Sequence, residues 1–526
     1  MDRLRPIARR LGVLHGRIVG IDEELDGVDA DSVVDLKGAP ILPGFHDAHY
    51  HSSLTGKRLA ALDLRPDVVP SLDHLYSAVR AYAAGLAPGD WLVAAGYDQN
   101  LIGGHPTAEG LDRVAGGRPV VLEHVSGHMI VANTAAFERA GYAGGLGVPD
   151  FAGGFVARTA GGRAEGLLQE RAADFIHDLV WPPSAERMRH YLELASKQAV
   201  GYGLTSLTEP GGFASFSSFQ DASERRVFRP RMSLMPLVSQ LHELHEFSDG
   251  EGWWGIDLGL RTGFGDDKLR LGPVKIMSDG SLIGKSAAMH DCYQGEPGNT
   301  GIMRMDPQEL TQLIVGAHRA GWTVATHAIG DAAIDYVLDG VEEAQRVAPR
   351  ANVRHRIEHF AVASDAQIAR AVSLGVIGVP QGRFISEFGD GMMAALGAGR
   401  SDRCYRMKSL LNAGMVLTGS TDSPIADGSP LGSIHDMVNR LTSSGEVLAP
   451  AERVTVEEAV RAYTYGSSYA VNEETNKGTI ATGMLADFIL LSDDLFSVDV
   501  TRIRDVAIGA TVIGGDVVHN EGVLAD

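Results

Sequence analysis

Residues Trp322–Val347 read WTVATHAIGDAAIDYVLDGVEEAQRV. The first part is an apolar, strand-like run, and the part from Asp331 onward carries helical spacing. His327 stands where the apolar run gives way to a glycine-containing turn. The same unit recurs along the chain. Strand-like runs include TSLTEPGG (205–212), LGPVKIMSDG (271–280), RHRIEHFAV (354–362), GVIGVPQG (375–382) and MVLTGSTDSP (415–424). Helical segments such as ERMRHYLELASKQAV, PQELTQLIVGAHRAG and SDAQIARAVSLG lie between them. Buried strands alternating with helices predict a parallel sheet. At this length the expected form is an α/β, (β/α)8 TIM-like barrel, with an open doubly wound sheet as the alternative. No GxGxxG follows the first strand, which disfavours a dinucleotide-binding version.

Working outward, both ends read as short strands and turns: LGVLHGRIVGID near the start, GMLADFILLSDD and DVAIGATVIGGDVVHNEGV near the end. The expected organisation is an N-terminal β-segment over 1–42, a barrel over 43–465, and a C-terminal β-segment over 466–526. Residues from about 75 to 190 break the alternation with Gly-rich turns and read as an insertion after the first barrel strand.

The chain has 526 residues, enough for a large domain and a smaller one. With 46 basic and 67 acidic side chains its formal charge is −21. So acidic a surface repels phosphate backbones and argues against a nucleic-acid partner. Two cysteines, Cys292 and Cys404, exclude a disulfide framework. No apolar run approaches the length of a membrane span, and the basic N-terminus lacks a continuous apolar stretch, so a cytoplasmic protein with no membrane partner is expected.

Ligand-type residues gather at strand ends. In PGFHDAHYH (43–51), His49 and His51 are two residues apart, so in a strand they point to one side together with Asp47, while His46 points away. With 19 histidines in 526 residues, such a pair arises by chance roughly 0.7 times per chain. Three more strand ends add weight: His327, His359 and Asp422 each sit where an apolar strand meets a loop, the face on which barrel active sites lie. Any one of them alone is equally well a satisfied buried histidine or a helix-capping aspartate. Lys275, inside an apolar strand, is either a snorkelling surface lysine or a buried one that is paired or modified.

The order H-x-H, Lys, His, His, Asp resembles the amidohydrolase superfamily and, more narrowly, amidohydrolase family 3, the branch that includes N-substituted formamide deformylases. The resemblance covers nearly the whole chain. It rests on PGFHDAHYH, RPVVLEHVSGHMIVANTAAF, GRAEGLLQE, VKIMSDGSLIGKSAA, THAIGDAAID, RHRIEH, TGSTDSP and the ending KGTIATGMLADFILLSDD. It implies a barrel plus a small β-sandwich formed by both termini. It further implies a divalent metal centre of one or two ions held by His49, His51, Lys275, His327, His359 and Asp422. Lys275, as a carboxylated lysine, would bridge the two. A ligand set without thiolates suits zinc, with manganese, iron or nickel as alternatives. Asp422 would be the catalytic base toward a metal-activated water whose hydroxide attacks a small amide, an N-acyl or N-formyl amine.

Other residues are expected near the substrate. His128 would reach the pocket or serve the fold. Asp279 and Ser281, after the lysine strand, would line it. Arg383 would meet a substrate carboxylate or remain a solvated arginine. Asn133 and Glu170 read as loop supports. The chain departs from the family pattern at His46, where an aliphatic residue is usual, and at His105, where an arginine is usual. Both departures bear on the substrate more than on the chemistry. Cyclic amide, carbamate or ester hydrolysis at the same site is the alternative activity. A non-catalytic ligand-binding or regulatory barrel is the alternative class, but all six ligand positions are filled, and a dead relative would be expected to lose some. A homo-oligomer, a dimer, is expected.

Overall fold

The computed structural model of the chain describes residues 7–87, 89–124, 129–151, 154–211, 214–244 and 253–524. These fall into two compact units: 1–52 with 195–526, and 53–194.

In the first unit the segment quoted at the outset forms a strand, Val324–Ala328, and a helix, Asp331–Val347. All five strand residues are buried. On the helix, Ala333, Ile334, Val337, Leu338, Val341 and Ala344 are buried, a three-and-four spacing that makes one apolar face. The parallel strands are β1 (Phe45–Asp47), β2 (Leu204–Glu209), β3 (Arg231–Leu234), β4 (Leu269–Leu271), β5 (Val274–Met277), β6 (Val324–Ala328), β7 (Arg356–His359) and β8 (Ile377–Val379). They make two four-stranded sheets, β4-β3-β2-β1 and β5-β6-β7-β8. Lys275 of β5 bridges in parallel to Leu237 just beyond β3, which carries one sheet toward the other.

The segment 415–422, expected as a barrel strand, forms no regular ladder. It is nevertheless bonded on both sides. Ala48 N donates to Gly419 O at 3.0 Å and Asp422 N to His49 O at 2.8 Å. On the other side Thr418 Oγ1 donates to Gly378 O and Ser420 Oγ to Pro380 O. The unit therefore has an α/β barrel-like fold whose strand ladder is interrupted rather than continuous.

The termini meet in strands. Ile41–Pro43 pairs antiparallel with Phe488–Leu491, which continues through Ile508–Ile513 to Asp516–Asn520. Leu11–Leu14 and Arg17–Ile21 form a separate hairpin. The second unit is built on a six-stranded sheet, with Leu62–Asp63, Leu92–Tyr97 and Val120–His124 in parallel and the other three strands antiparallel. Leu75, Val79 and Ala83 of helix Leu72–Ala84 are buried in its core with Leu92, Leu122 and Val131. Among the described residues no helix is long and apolar enough to cross a membrane.

Gly330 opens the helix that follows His327. A Cβ there would lie 1.8 Å from the carbonyl oxygen of Ala288, so backbone must move. Gly330→Ala is expected to destabilise the protein by about 1–3 kcal/mol, read from urea unfolding; an unchanged midpoint would contradict this packing.

Candidate metal centre

β1 ends at Asp47, and the chain turns as it leaves the strand, so His49 and His51 lie just beyond the regular segment. They converge all the same. One ligand atom from each of His49, His51 and Asp422 lies within 4.8 Å of the others. Asp422 Oδ1 is 3.4 Å from His49 Nε2 and 3.1 Å from His51 Nε2. This buried oxygen accepts no hydrogen bond of proper geometry among the described residues. A buried carboxylate oxygen without a donor is unfavourable. Two imidazole nitrogens aimed at it, with no thiolate present, make a donor set that fits a borderline divalent cation such as zinc.

The remaining histidines complete the group. The His49 and His359 rings are 5.2 Å apart, and those of His327 and His359 are 4.5 Å apart. Sheet register explains this: His327 on β6 is opposite Glu358 on β7, and Ala328 is opposite His359. On the next strand, Met277 of β5 is opposite His327, which sets Lys275 two residues deeper. Lys275 is 2% exposed. Burial pushes its ammonium down to about 8, against the pull of the Glu358 and Asp422 carboxylates.

His49 and His359 are each held by a partner. His49 Nδ1 meets Glu358 Oε2 in a short hydrogen bond, leaving Nε2 toward the centre. Glu358 is gripped in turn by Arg356, with Nε and Nη2 at 2.8 and 2.9 Å from its two oxygens. His359 Nδ1 lies 2.7 Å from Gln381 Oε1, and Gln381 donates to Val379 O and Ser420 Oγ. Glu209, at the end of β2, accepts from Ser52 N, next in chain to His51. Asp47 accepts from His49 N at 2.9 Å, Thr421 N at 3.1 Å and Thr421 Oγ1 at 2.5 Å.

Burial dominates the imidazoles, lowering His49 to about 4 and His359 well below its ordinary range, so both are neutral and keep a lone pair. Burial opposes ionisation of Asp422, and the facing His49, His51 and His359 bring the carboxyl below its usual range only to the extent that a proton is shared between carboxylate and imidazoles, so the cluster titrates as a unit. Glu358 is likewise held low, the Arg356 guanidinium outweighing the effect of burial.

The structure does not bring every expected residue to an open position. Asp279 is fully buried: Oδ2 accepts from Ala288 N and Gly330 N, and Oδ1 from Ile329 N. It also lies 3.3 Å from His327 Nε2. It holds the loops around His327 instead of lining a pocket, because loop amides claim both oxygens, and His327 Nε2 itself bonds the Gly280 carbonyl at 3.0 Å. Ser281 is exposed, and its hydroxyl accepts from Gly284 N within a turn. Arg383 is neither solvated nor free for a substrate carboxylate, since Asp436 at 2.7 Å and Glu387 at 3.0 Å engage it. His46 turns to Thr208 Oγ1 at 3.1 Å, away from the cluster. Asn133 caps helix Thr134–Arg139 and accepts from Val120 N. His128 lies outside the described residues. Glu358, Arg356 and Gln381 were not anticipated. For Arg356 and Glu358 the signal was present as charged residues alternating, R-x-E, within the fully buried strand β7.

Residues 32–519 match the model of the amidohydrolase family. The chain belongs to the amidohydrolase family. This family member is 30% identical over 530 residues to a protein of Bacillus subtilis (strain 168) provisionally named amidohydrolase YtcJ, covering 99% of this chain and 97% of that one. It is 28% identical to the N-substituted formamide deformylase of Arthrobacter pascens, over 98% and 95% of the two chains. Among solved structures it resembles an uncharacterized metal-dependent hydrolase from Pyrococcus furiosus, with a TM-score of 0.76, 27% identity, and coverage of 93% and 95%. A hydrolase with a His-His-Asp metal site is what family and geometry support together.

Glu358→Gln removes the anion that orients His49 and balances Arg356. Loss of such an outer partner typically weakens metal binding by about 10–100-fold. Competition with a chromophoric chelator is expected to show that drop, and affinity within twofold of wild type would contradict the role given to Glu358.

Proposed function

We propose that this amidohydrolase cleaves the C–N bond of a small amide, an N-acyl or N-formyl amine. The observation that carries the reading is the convergence of His49, His51 and Asp422 on one buried point, with His327, His359 and Lys275 beside it. Likeness to a protein named N-substituted formamide deformylase supports the amide. The frame proposed is an eight-membered β/α barrel with the terminal strands as a small sandwich.

His49, His51, His327, His359 and Asp422 would hold one or two divalent ions, zinc being suited to these donors. When bound, the metal would supply Lewis-acid activation of water and of the scissile carbonyl. Asp422 accepts the proton of the attacking water and delivers it to the amine nitrogen as the C–N bond breaks. Neutral His49 and His359 keep lone pairs for binding, because Glu358 and Gln381 occupy their Nδ1 atoms. The Lys275 amine is proposed to take up carbon dioxide, forming an N–C bond and releasing a proton. The resulting carbamate would be a further anionic ligand.

Amine release from a panel of N-formyl and N-acyl amines, beside lactams, carbamates and esters, tests the reading. Turnover of a linear amide is expected, and turnover of esters or cyclic amides alone would overturn the substrate class. Asp422→Asn is expected to lower kcat by about 10²–10⁴-fold with metal content largely retained; near-normal kcat would remove Asp422 as the base. Lys275→Ala is expected to lose metal and regain it in part with short carboxylic acids. Full occupancy without them would exclude the carbamate.

A further inference from the structure

Strands of a barrel hold one another through backbone ladders, but 415–422, which ends in Asp422, forms no regular ladder. A helix of uncommon winding packs against it instead. Val456–Arg461 is an α-helix, and Ala462–Gly466 continues it as one π-helical turn. Such turns are rare, occur mostly singly inside α-helices, and are frequent at functional sites.

The π turn and the segment approach closely. A Cβ on Gly419 would lie 2.4 Å from the Tyr463 ring, and one on Gly466 would lie 1.9 Å from Leu417 O. Glycine at both positions is what lets the two backbones come together. Hydrogen bonds fill the contact. Gly419 N donates to Ala462 O at 3.1 Å and to Ser467 Oγ at 3.2 Å. Ser467 Oγ donates to Gly419 O at 3.0 Å.

Tyr463 makes a further tie, one residue nearer the centre. It is fully buried, its ring packs edge-on against Phe45 of β1 with centroids 6.3 Å apart, and its hydroxyl donates to Ser420 O at 2.8 Å. Phenylalanine would fill the same space; what tyrosine adds is a donor for this one carbonyl. Ser420 is a junction. Its Oγ accepts from Gln381 Nε2 at 3.1 Å and donates to Pro380 O at 3.0 Å, and Gln381 Oε1 lies 2.7 Å from His359 Nδ1. Two residues further along the chain stands Asp422. Ser420 therefore connects to His359 through side chains and to Asp422 through backbone.

We propose that Tyr463 is a positioning residue of the metal centre: its hydroxyl, by fixing Ser420, sets where Asp422 and His359 stand. It touches neither metal nor substrate, and it keeps its proton. The π turn takes the place of the ladder that 415–422 lacks. The inference rests on the metal centre described above and is independent of the choice of substrate. Without the donor, Ser420 O would be buried and unpaired, an unfavourable state that a shift of the segment relieves. Disturbing the outer partners of metal ligands typically weakens metal binding by about 10–100-fold.

The test is Tyr463→Phe in the full-length protein, with zinc affinity read by competition with a chromophoric chelator. Affinity is expected to fall about tenfold or more, and the visible d–d absorption of the cobalt-loaded protein is expected to change. Thr464→Val is the comparison. It removes another buried hydroxyl of the same turn, one that donates to Val460 O at 2.8 Å within the helix. It is expected to leave zinc affinity and the cobalt spectrum as in wild type, even where the melting temperature falls. Should Tyr463→Phe not fold, Ser467→Ala, which breaks the tie to Gly419 O, is expected to weaken zinc binding in the same direction. Unchanged zinc affinity in Tyr463→Phe, or in Ser467→Ala where that variant stands in, would overturn the role. So would an equal loss in Thr464→Val, which would mark a general loosening of the helix. A wild type that binds no zinc would remove the metal centre and this role together. If zinc binding responds as expected but wild type turns over no amide, the substrate reading fails and the positioning role stands.

Discussion

The site depends on the carboxylate of Asp47. It accepts from the backbone of His49 and from both the backbone and the hydroxyl of Thr421. One buried side chain thus ties the turn that carries two histidines to the segment that ends in Asp422. The backbone bonds Asp422 N to His49 O and His51 N to Ser423 O repeat the tie one step outward. Since 415–422 forms no regular ladder, these side-chain and backbone bonds, and not a continuous sheet, fix where Asp422 stands. Burial pushes Asp47 up to about 7 even against its three donors, a measure of how dry this junction is.

Dryness also sets the charge pattern. His49 and His359 are driven neutral by burial and keep a lone pair for a metal, while Glu358 stays ionised where a cation faces it. Arg356 does this for Glu358 through a two-pronged contact, with both side chains fully buried. The pair would be costly to break from either side, because the survivor would be an uncompensated buried charge. Among the described residues Asp422 has no such partner at Oδ1, only imidazole nitrogens. Glu358, Gln381 and the Gly280 carbonyl each engage one nitrogen of His49, His359 and His327 and leave the other for a metal, which is how a ligand set is oriented before a metal arrives.

Much of this was legible in the sequence. The strand and helix of 324–347 followed from period alone, and His49, His51, His327, His359 and Asp422 were marked by their place at strand ends. The rest was not legible, for physical reasons. Asp279 and Arg383 follow strands as ligands do, and a polar residue there reads the same whether it faces a substrate or a neighbouring loop's amides. Glu358 lies beside His359 on β7, and only cross-strand register reveals that it reaches His49, more than 300 positions away. Tyr463 lies in a helical stretch, and its bond to the carbonyl of Ser420 is visible only in three dimensions.

The central claim is that these residues form a catalytic metal centre. Exhaustive chelation followed by stepwise addition of zinc tests it most directly, with bound metal and amine release read together. Release should vanish in the chelated protein and return in step with one to two equivalents of zinc per chain. Full amine release from the metal-free protein would contradict the account.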